Sequence, residues 1–254
     1  MDNYARLIKE LTTINPKTIL EIGSLHGHDA NTLKIIFELL DSDVWVVEPN
    51  PTQQLQIIND YPNFNLIKNP IFNKKEIHDF YLINGYDAGT SSLFDRADTW
   101  YELHGNGLEK IKLQTITGKE LIELIKAPVE LCKIDVEGLT YEVLESFGDS
   151  IDLIYSFHIE CEHKEVWKNQ KLYDLLREFN NVSLAFSIDG IGKVNDYIRF
   201  GSVWNEVEDN LLLAKEYKFN VSITPTIQIY NYPYIKELWD YCDKNNITHY
   251  DNML

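Results

Sequence analysis

Short apolar runs alternate with segments of helical periodicity through the first 160 residues of the chain. Residues 18–22 and 44–47 are apolar runs closed by turn residues, and apolar side chains recur at helical spacing over 30–40 between them. The same patterns predict strands near 64–68, 78–83, 129–134 and 153–159, and helices over 52–60, 117–125 and 141–147. Strands that alternate with helices form βαβ units, so we predict an α/β fold with a mainly parallel, doubly wound sheet.

A second strand–helix series follows a charged helix predicted over 164–179. Its patterns predict strands at 182–188 and 220–230 and helices at 203–217 and 233–244. Pro225 falls inside the second strand, which indicates a sheet edge or a bulge there. The series is a C-terminal βαβα extension, and composition suggests two domains, residues 1–180 and 181–254.

The 254 residues include 23 Lys and Arg against 40 Asp and Glu, a formal net charge of −17 at pH 7. This charge repels phosphate backbones and anionic membrane surfaces, so we expect neither nucleic acid nor a membrane as partner. No apolar run reaches the length of a membrane span, and the N-terminal residues lack a signal-peptide pattern. Three widely spaced cysteines form no disulfide framework. We expect a cytoplasmic protein with a small-molecule partner.

The turn after the first predicted strand runs from Glu21 to Gly27 and reads E-I-G-S-L-H-G. Its glycines let the backbone pass close to a ligand before a helix begins, and Glu48, after the next strand, can accept the hydroxyls of a ribose. The spacing is not G-x-G-x-x-G, which favours a ligand with a ribose and an amino acid but no pyrophosphate, such as S-adenosylmethionine. Alternatively, Gly23 and Gly27 only make a tight turn and Glu48 is a solvated strand end.

Several further strings accompany this turn, and K-I-D-V-E-G at 133–138 is the most specific of them. The others are I-L-E-I-G-S-L-H-G at 19–27, V-W-V-V-E-P-N-P at 44–51, G-T-S-S-L at 89–93 and I-E-C-E at 159–162. In this order they resemble the FkbM-type methyltransferases, a branch of the S-adenosylmethionine-dependent class I fold.

The resemblance implies a Rossmann-like class I methyltransferase fold. It also implies methyl transfer from S-adenosylmethionine to an oxygen of a sugar, polyketide or similar small acceptor. The cofactor-binding residues it implies are Glu21, Gly23 and Gly27 for the methionine part, Glu48 for the ribose, and Asn69 and Ile71 beside the adenine. Thr140 stands where the family often has an acidic residue, so the resemblance implies no role for that position.

Asp135 and Glu137 follow a predicted strand, at the end where open α/β sheets bind ligands. Alternate strand positions share one face, so both carboxylates are candidates for catalysis. Our hypothesis is that Asp135 contacts the cofactor amine or the acceptor, and that Glu137 is either the general base or structural. Alternatively, Glu137 and Gly138 cap the following helix and neither carboxylate touches substrate.

His26, His158 and Glu160 are candidates for binding the acceptor. His26 lies in the glycine turn, and His158 and Glu160 alternate to one face of the fifth predicted strand. With Asp135 and Glu162, these two could in principle form an oxygen-and-nitrogen metal site. The resemblance implies no metal, and we predict none.

Two strings in the C-terminal extension are S-I-D-G at 187–190 and D-Y-I-R-F-G-S-V-W at 196–204. Through them residues 181–254 resemble the later half of a radical S-adenosylmethionine barrel, although the sequence lacks the three-cysteine loop that holds that family's iron–sulfur cluster. The segment is either a remnant whose strands complete the first sheet, or part of a truncated chain. An open parallel edge near the C-terminus would favour a homodimer.

These patterns predict an S-adenosylmethionine-dependent O-methyltransferase that acts on a small hydroxyl acceptor such as a sugar. The alternative is a non-catalytic binding or scaffold protein, in which a residual cofactor pocket is fused to a barrel fragment. A dinucleotide or nucleotide-sugar enzyme is a third hypothesis, but the phosphate-binding glycine pattern is missing.

Overall fold

The computed structural model of the chain describes residues 8–9, 12, 14–83, 89, 91–95, 108–159, 170–179, 182–199, 202–250 and 252–253. The chain divides into two compact units, Met1–Glu162 and His163–Leu254. The domain boundary suggested at residue 180 stays a prediction.

A parallel sheet forms the centre of the first unit. The strands of this unit are β1 (Ile19–Ile22), β2 (Val44–Val47), β3 (Asn65–Ile67), β4 (Ile77–Leu82), β5 (Glu109–Gln114), β6 (Leu131–Ile134) and β7 (Phe157–Ile159). Five of them pair in the order β3-β2-β1-β6-β7, all parallel. All four residues of β1 and of β6 are buried, so both faces of the sheet are covered. The predicted mainly parallel, doubly wound α/β fold is confirmed.

Helices connect these strands and begin where the strands end. They are α1 (His28–Ile36), α2 (Pro51–Asp60), α3 (Gly118–Ile125) and α4 (Thr140–Glu145), with 3-10 turns at Asp41–Asp43 and Gly148–Leu153. Asn50 caps α2 by accepting the N–H of Thr52 at 3.0 Å, just before a proline that needs no N–H partner. Thr117 and Glu120 cap α3 reciprocally. The caps satisfy backbone N–H groups in the first turns of α2 and α3.

Strands β4 and β5 form a separate antiparallel pair, in which Ile77 faces Gln114 and Leu82 faces Glu109. The sequence patterns predict β4 but give no strand over 109–114. Four of those six residues are exposed, so the apolar alternation that marks a strand is weak. A parallel bridge between Ile71, before β4, and Ile116, after β5, joins the two ends of the segment that contains this pair.

The second unit has a parallel sheet of its own. Its described elements are α5 (Gln170–Leu176), β8 (Ser183–Phe186), α6 (Lys193–Ile198), α7 (Trp204–Glu216), β9 (Asn220–Ile223), β10 (Thr226–Ile227), a 3-10 turn (Tyr232–Tyr234), α8 (Ile235–Asn245), β11 (Thr248–His249) and β12 (Asn252–Met253). Strand β9 pairs with β8 on one side and with β11 on the other. The hypothesis that these strands complete the first sheet is therefore wrong. Pro225 lies between β9 and β10, where its missing N–H interrupts the strand.

Within the described parts of the chain, no helix is both long enough and apolar enough to cross a lipid bilayer. Cys132 and Cys242 are buried free thiols. Cys161 lies outside the described residues.

Candidate functional site

A cavity of about 290 Å³ lies at the carboxyl ends of β1, β2 and β6. Open α/β sheets bind ligands at this edge, beside the strand where the order of strands reverses. The volume is near the lower end of the range for small-molecule sites. The residues singled out from the sequence that line it are Gly23, Glu48, Ile71, Asp135 and Glu137.

Glu48 follows β2 at the edge of the cavity and is only 6% exposed. Its Oε2 accepts the N–H of Leu25 at 2.7 Å, and its Oε1 accepts the N–H of Asn50 at 2.7 Å. Burial raises the pKa of Glu48 to about 8, although both backbone hydrogen bonds favour the carboxylate. Glu48 is therefore a buried acid held in one orientation, and not a solvated strand end.

The glycine turn donates backbone N–H groups to the protein itself. Those of Gly23 and Ser24 both donate to the carbonyl oxygen of Val47, at 3.0 and 3.2 Å. A Cβ on Gly23, whose φ is +84°, would lie 1.7 Å from the carbonyl oxygen of Asp135, so only glycine allows the two strand ends to approach this closely. These N–H groups are not aimed at a ligand phosphate, as they are in loops that cradle a pyrophosphate.

Glu21 joins the glycine turn, α1 and β6 from a fully buried position. Its Oε2 accepts Ser24 Oγ at 2.5 Å and the N–H of Ala30 at 3.2 Å, and its Oε1 accepts Lys133 Nζ at 2.9 Å. Burial raises the pKa of Glu21, and the charge of Lys133 opposes that rise. Because Ala30 belongs to the first turn of α1, a protein carboxylate already occupies the helix end that binds anions in dinucleotide folds.

Lys133 is one residue of this site to which the sequence analysis assigned no role. Its side chain is 4% exposed, and besides Glu21 its Nζ lies 2.8 Å from Asp29 Oδ2 and 3.7 Å from Asp135 Oδ2. A lysine within the otherwise apolar strand Leu131–Ile134 was the available signal, since a lysine is almost never fully buried unless it is paired. Lys133 therefore connects Asp135, which lines the cavity, to Glu21 in the glycine turn.

The remaining wall comes from outside the sheet. Phe80 on β4 and Ser91 and Ser92 after it line the cavity. Ser91 accepts the N–H of Ile83 at 3.0 Å, while Ser92 donates its hydroxyl to the carbonyl oxygen of Glu137 at 2.9 Å. The segment with the serines therefore spans from the β4 side of the cavity to the end of β6.

A family model described as the methyltransferase FkbM domain matches residues 10–187, well over half of the chain. The chain belongs to the FkbM methyltransferase family.

A solved structure described as methyltransferase FkbM from Methylobacillus flagellatus KT is similar to 64% of this chain, with 11% sequence identity and a TM-score of 0.43. The chain spans 37% of the length of that protein. No curated protein matches the sequence.

Other predicted cofactor residues of this FkbM domain lie outside the cavity lining. Glu21 accepts the N–H of Ala30 on α1, and a Cβ on Gly27 would lie 3.0 Å from the ring of Tyr61. The side-chain amide of Asn69 donates to the carbonyl oxygen of Gln114 at 2.8 Å. Direct contact of these three residues with a cofactor stays a prediction.

The candidate acceptor residues are not brought together by the described structure. His26 packs edge-on to His28, with ring centroids 6.0 Å apart, and lies outside the cavity lining. His158 is the β7 neighbour of Lys133. Burial and the Lys133 charge lower the pKa of His158 to about 4. Glu160 and Glu162 lie outside the described residues, so their predicted roles are untested.

The second unit has a buried polar cluster around Asp189. Asp189 Oδ1 accepts the N–H of Thr226 at 2.8 Å, and its Oδ2 lies 2.9 Å from Arg199 Nε. The carbonyl oxygen of Asp189 accepts the side-chain amide of fully buried Asn231 at 2.9 Å. These contacts join the loop after β8 to the segment after β9, and the resemblance of this unit to a radical S-adenosylmethionine barrel stays a prediction.

Proposed function

We propose that the chain is an S-adenosylmethionine-dependent methyltransferase that methylates a hydroxyl oxygen of a small, carbohydrate-like acceptor. The observation that carries the proposal is the buried, doubly hydrogen-bonded Glu48 at the end of β2, in a cavity beside a glycine turn of a FkbM domain. The family supplies methyl transfer as the reaction class.

The residues present fit this cofactor. Each oxygen of Glu48 accepts one backbone N–H, which leaves each oxygen able to form one further hydrogen bond with a ribose hydroxyl. The side chains of Val47, Ile71 and Phe80 give the cavity apolar walls suited to a purine ring. Asp135 offers a carboxylate for the cofactor amine or for the acceptor.

The closed glycine turn argues against a dinucleotide. The N–H groups of Gly23 and Ser24 donate to Val47, and Glu21 holds the N–H of Ala30 at the start of α1. A pyrophosphate would have to displace these protein contacts. S-adenosylmethionine carries no phosphate, so it can bind without displacing these contacts. This supports S-adenosylmethionine over a nicotinamide or flavin dinucleotide as the cofactor.

When bound, S-adenosylmethionine supplies an electrophilic methyl group on its sulfonium sulfur. The protein must then align an acceptor oxygen with that methyl group and remove the hydroxyl proton. Asp135 and Glu137 line the same cavity, and either carboxylate is suited to take the proton. We propose Asp135 as the residue that contacts the cofactor amine or the acceptor, and Glu137 as the candidate base.

Calorimetric titration with S-adenosylmethionine and S-adenosylhomocysteine tests the cofactor. We expect micromolar binding that Glu48→Ala weakens at least tenfold, while Glu123→Ala, at an exposed position on α3, leaves it unchanged. No heat at millimolar ligand, from protein shown to be folded, would instead favour a non-catalytic binding or scaffold protein.

A screen of sugars and other hydroxyl compounds tests the reaction, with S-adenosylhomocysteine formation as the readout. Asp135→Ala should abolish turnover on any active acceptor while the circular dichroism spectrum stays unchanged. An unaffected rate would remove Asp135 from the site.

A further inference from the structure

Two consecutive residues at the end of β6 have left-handed backbone conformations. The φ angle is +49° at Glu137 and +98° at Gly138. Glycine adopts such angles freely, whereas for glutamate the conformation is strained and persists only where the surrounding structure holds it. Glu137 also lines the cavity, so what holds its backbone also sets the shape of the proposed site.

The hydroxyl of Ser92 contacts this strained backbone. Ser92 is 3% exposed and donates to the carbonyl oxygen of Glu137 at 2.9 Å. The same hydroxyl accepts the N–H of Phe94 at 3.1 Å, which orients it. The backbone of Ser92 pairs with that of Tyr81 on β4, at 2.8 and 3.2 Å. The contacts with Tyr81 and Phe94 therefore hold Ser92 in place, and its hydroxyl contacts the segment that follows β6.

We propose that Ser92 is a positioning residue of the cavity: its hydroxyl holds the Glu137 peptide in the left-handed conformation and so keeps the Glu137 carboxylate directed at the bound ligands. The proposal rests on the proposed function only in naming S-adenosylmethionine as one of those ligands. The neighbouring Ser91 makes different contacts, with the N–H of Ile83 and the amide of Asn50 at 3.4 Å, and provides a matched control.

A thermal double-mutant cycle tests the backbone part of the proposal without any ligand. In a Glu137→Gly background, Ser92→Ala should lower the Tm by about 2–4 °C, the shift expected for one lost buried hydrogen bond in a chain of this size, because the carbonyl oxygen at position 137 loses its donor and glycine has no strain to release. In the wild-type background the same substitution should cost less than half as much, because Glu137 then leaves its strained conformation and the strain energy is recovered. Ser91→Ala should cost the same in both backgrounds. Equal losses from Ser92→Ala in the two backgrounds would overturn the proposal.

Titration with S-adenosylhomocysteine tests whether Ser92 acts through the Glu137 side chain. Ser92→Ala should weaken binding about fivefold in the wild-type background and should add no further loss to Glu137→Gly. A merely structural serine would weaken binding equally in both backgrounds, and that result would reject the positioning role. If the wild-type protein does not bind this ligand at all, the proposed function fails, and the thermal cycle still decides whether Ser92 holds Glu137.

Discussion

Lys133 Nζ lies 2.9 Å from Glu21 Oε1 inside the central sheet, between strands β6 and β1. Both side chains are almost completely buried, and the two residues are direct neighbours in the strand register. A charge pair in this position is costly to desolvate, and the removal of one partner leaves the other buried and uncompensated. The pair also connects the glycine turn to the strand that leads to Asp135.

We expect Lys133→Met to destabilise the protein by about 3–5 kcal/mol, since Glu21 would lose its cation at a fully buried position. Urea unfolding at pH 7 measures the loss. The control is Lys236→Met, which breaks the exposed pair with Asp240 and should leave the unfolding free energy almost unchanged. Similar losses in the two variants would contradict the argument from burial.

Glu48 should make stability fall as the pH rises. Burial raises its pKa to about 8 in the folded protein, while the unfolded chain has the ordinary value of 4.5. Between these values the folded state binds a proton that the unfolded state has released, so raising the pH favours unfolding by up to about 1.4 kcal/mol per pH unit. Urea unfolding from pH 5 to pH 8 should show this slope in the wild type and lack its Glu48 component in Glu48→Gln.

Glu48→Gln also has an effect that does not depend on pH, because the amide NH2 group of Gln cannot accept either of the two backbone N–H groups and stability falls equally at every pH. The comparison therefore rests on the slope of stability against pH and not on the absolute unfolding free energy. Glu123→Gln should keep the wild-type slope. Parallel curves for the wild type and Glu48→Gln would show that Glu48 is ionised throughout this range.

His158 should act in the opposite direction. Its pKa is lowered to about 4 in the folded protein from 6.5, so the unfolded chain binds the proton first as the pH falls. The stability that the neutral imidazole contributes is complete above pH 6.5 and is lost as the pH decreases toward 4. His158→Asn should abolish this acid-side loss in unfolding experiments, and an unchanged acid limb would rule out a pKa of His158 lowered in the folded protein.

Two glycine substitutions separate steric clash from backbone strain. Gly23→Ala would place a Cβ 1.7 Å from the carbonyl oxygen of Asp135, whereas Gly148, also at positive φ, has nothing within 4 Å of that position. Gly148→Ala should cost about 1–2 kcal/mol for its φ alone. Gly23→Ala should cost several times more or prevent folding, as measured by urea unfolding and soluble yield. Equal costs would mean that the two strand ends can move apart freely.

Local patterns predicted much of the first unit because its central strands β1 and β6 are buried on both faces. The apolar run at 44–47 coincides with β2, and the Pro-containing turn after it coincides with the start of α2. Strand β5 could not be predicted in this way, since its pairing with β4 is set by a partner far along the chain and its own side chains are mostly exposed.

The site was predicted in part for the same physical reason. Glu48 and Asp135 are acids directly after buried strands, and parallel strands bring such positions to one edge. Ser92 reaches that edge from a separate antiparallel pair, and Lys133 is oriented by carboxylates on β1 and α1. A lysine within an apolar strand marks Lys133 as unusual, but the contacts of both residues join distant segments, and no spacing within one strand or turn reveals those contacts.

The bridge between Ile71 and Ile116 brings the two ends of the β4–β5 segment together: the N–H of Phe72 donates to the Ile116 carbonyl at 2.9 Å, and the N–H of Ile116 donates to the Pro70 carbonyl at 3.0 Å. Lengthening a segment whose ends are already joined costs little entropy. Changes of length between Phe72 and Ile116 should therefore reshape the wall of the cavity beside Glu137 at little cost in stability, because the strands that lead to Glu48 and carry Lys133 pair outside that segment.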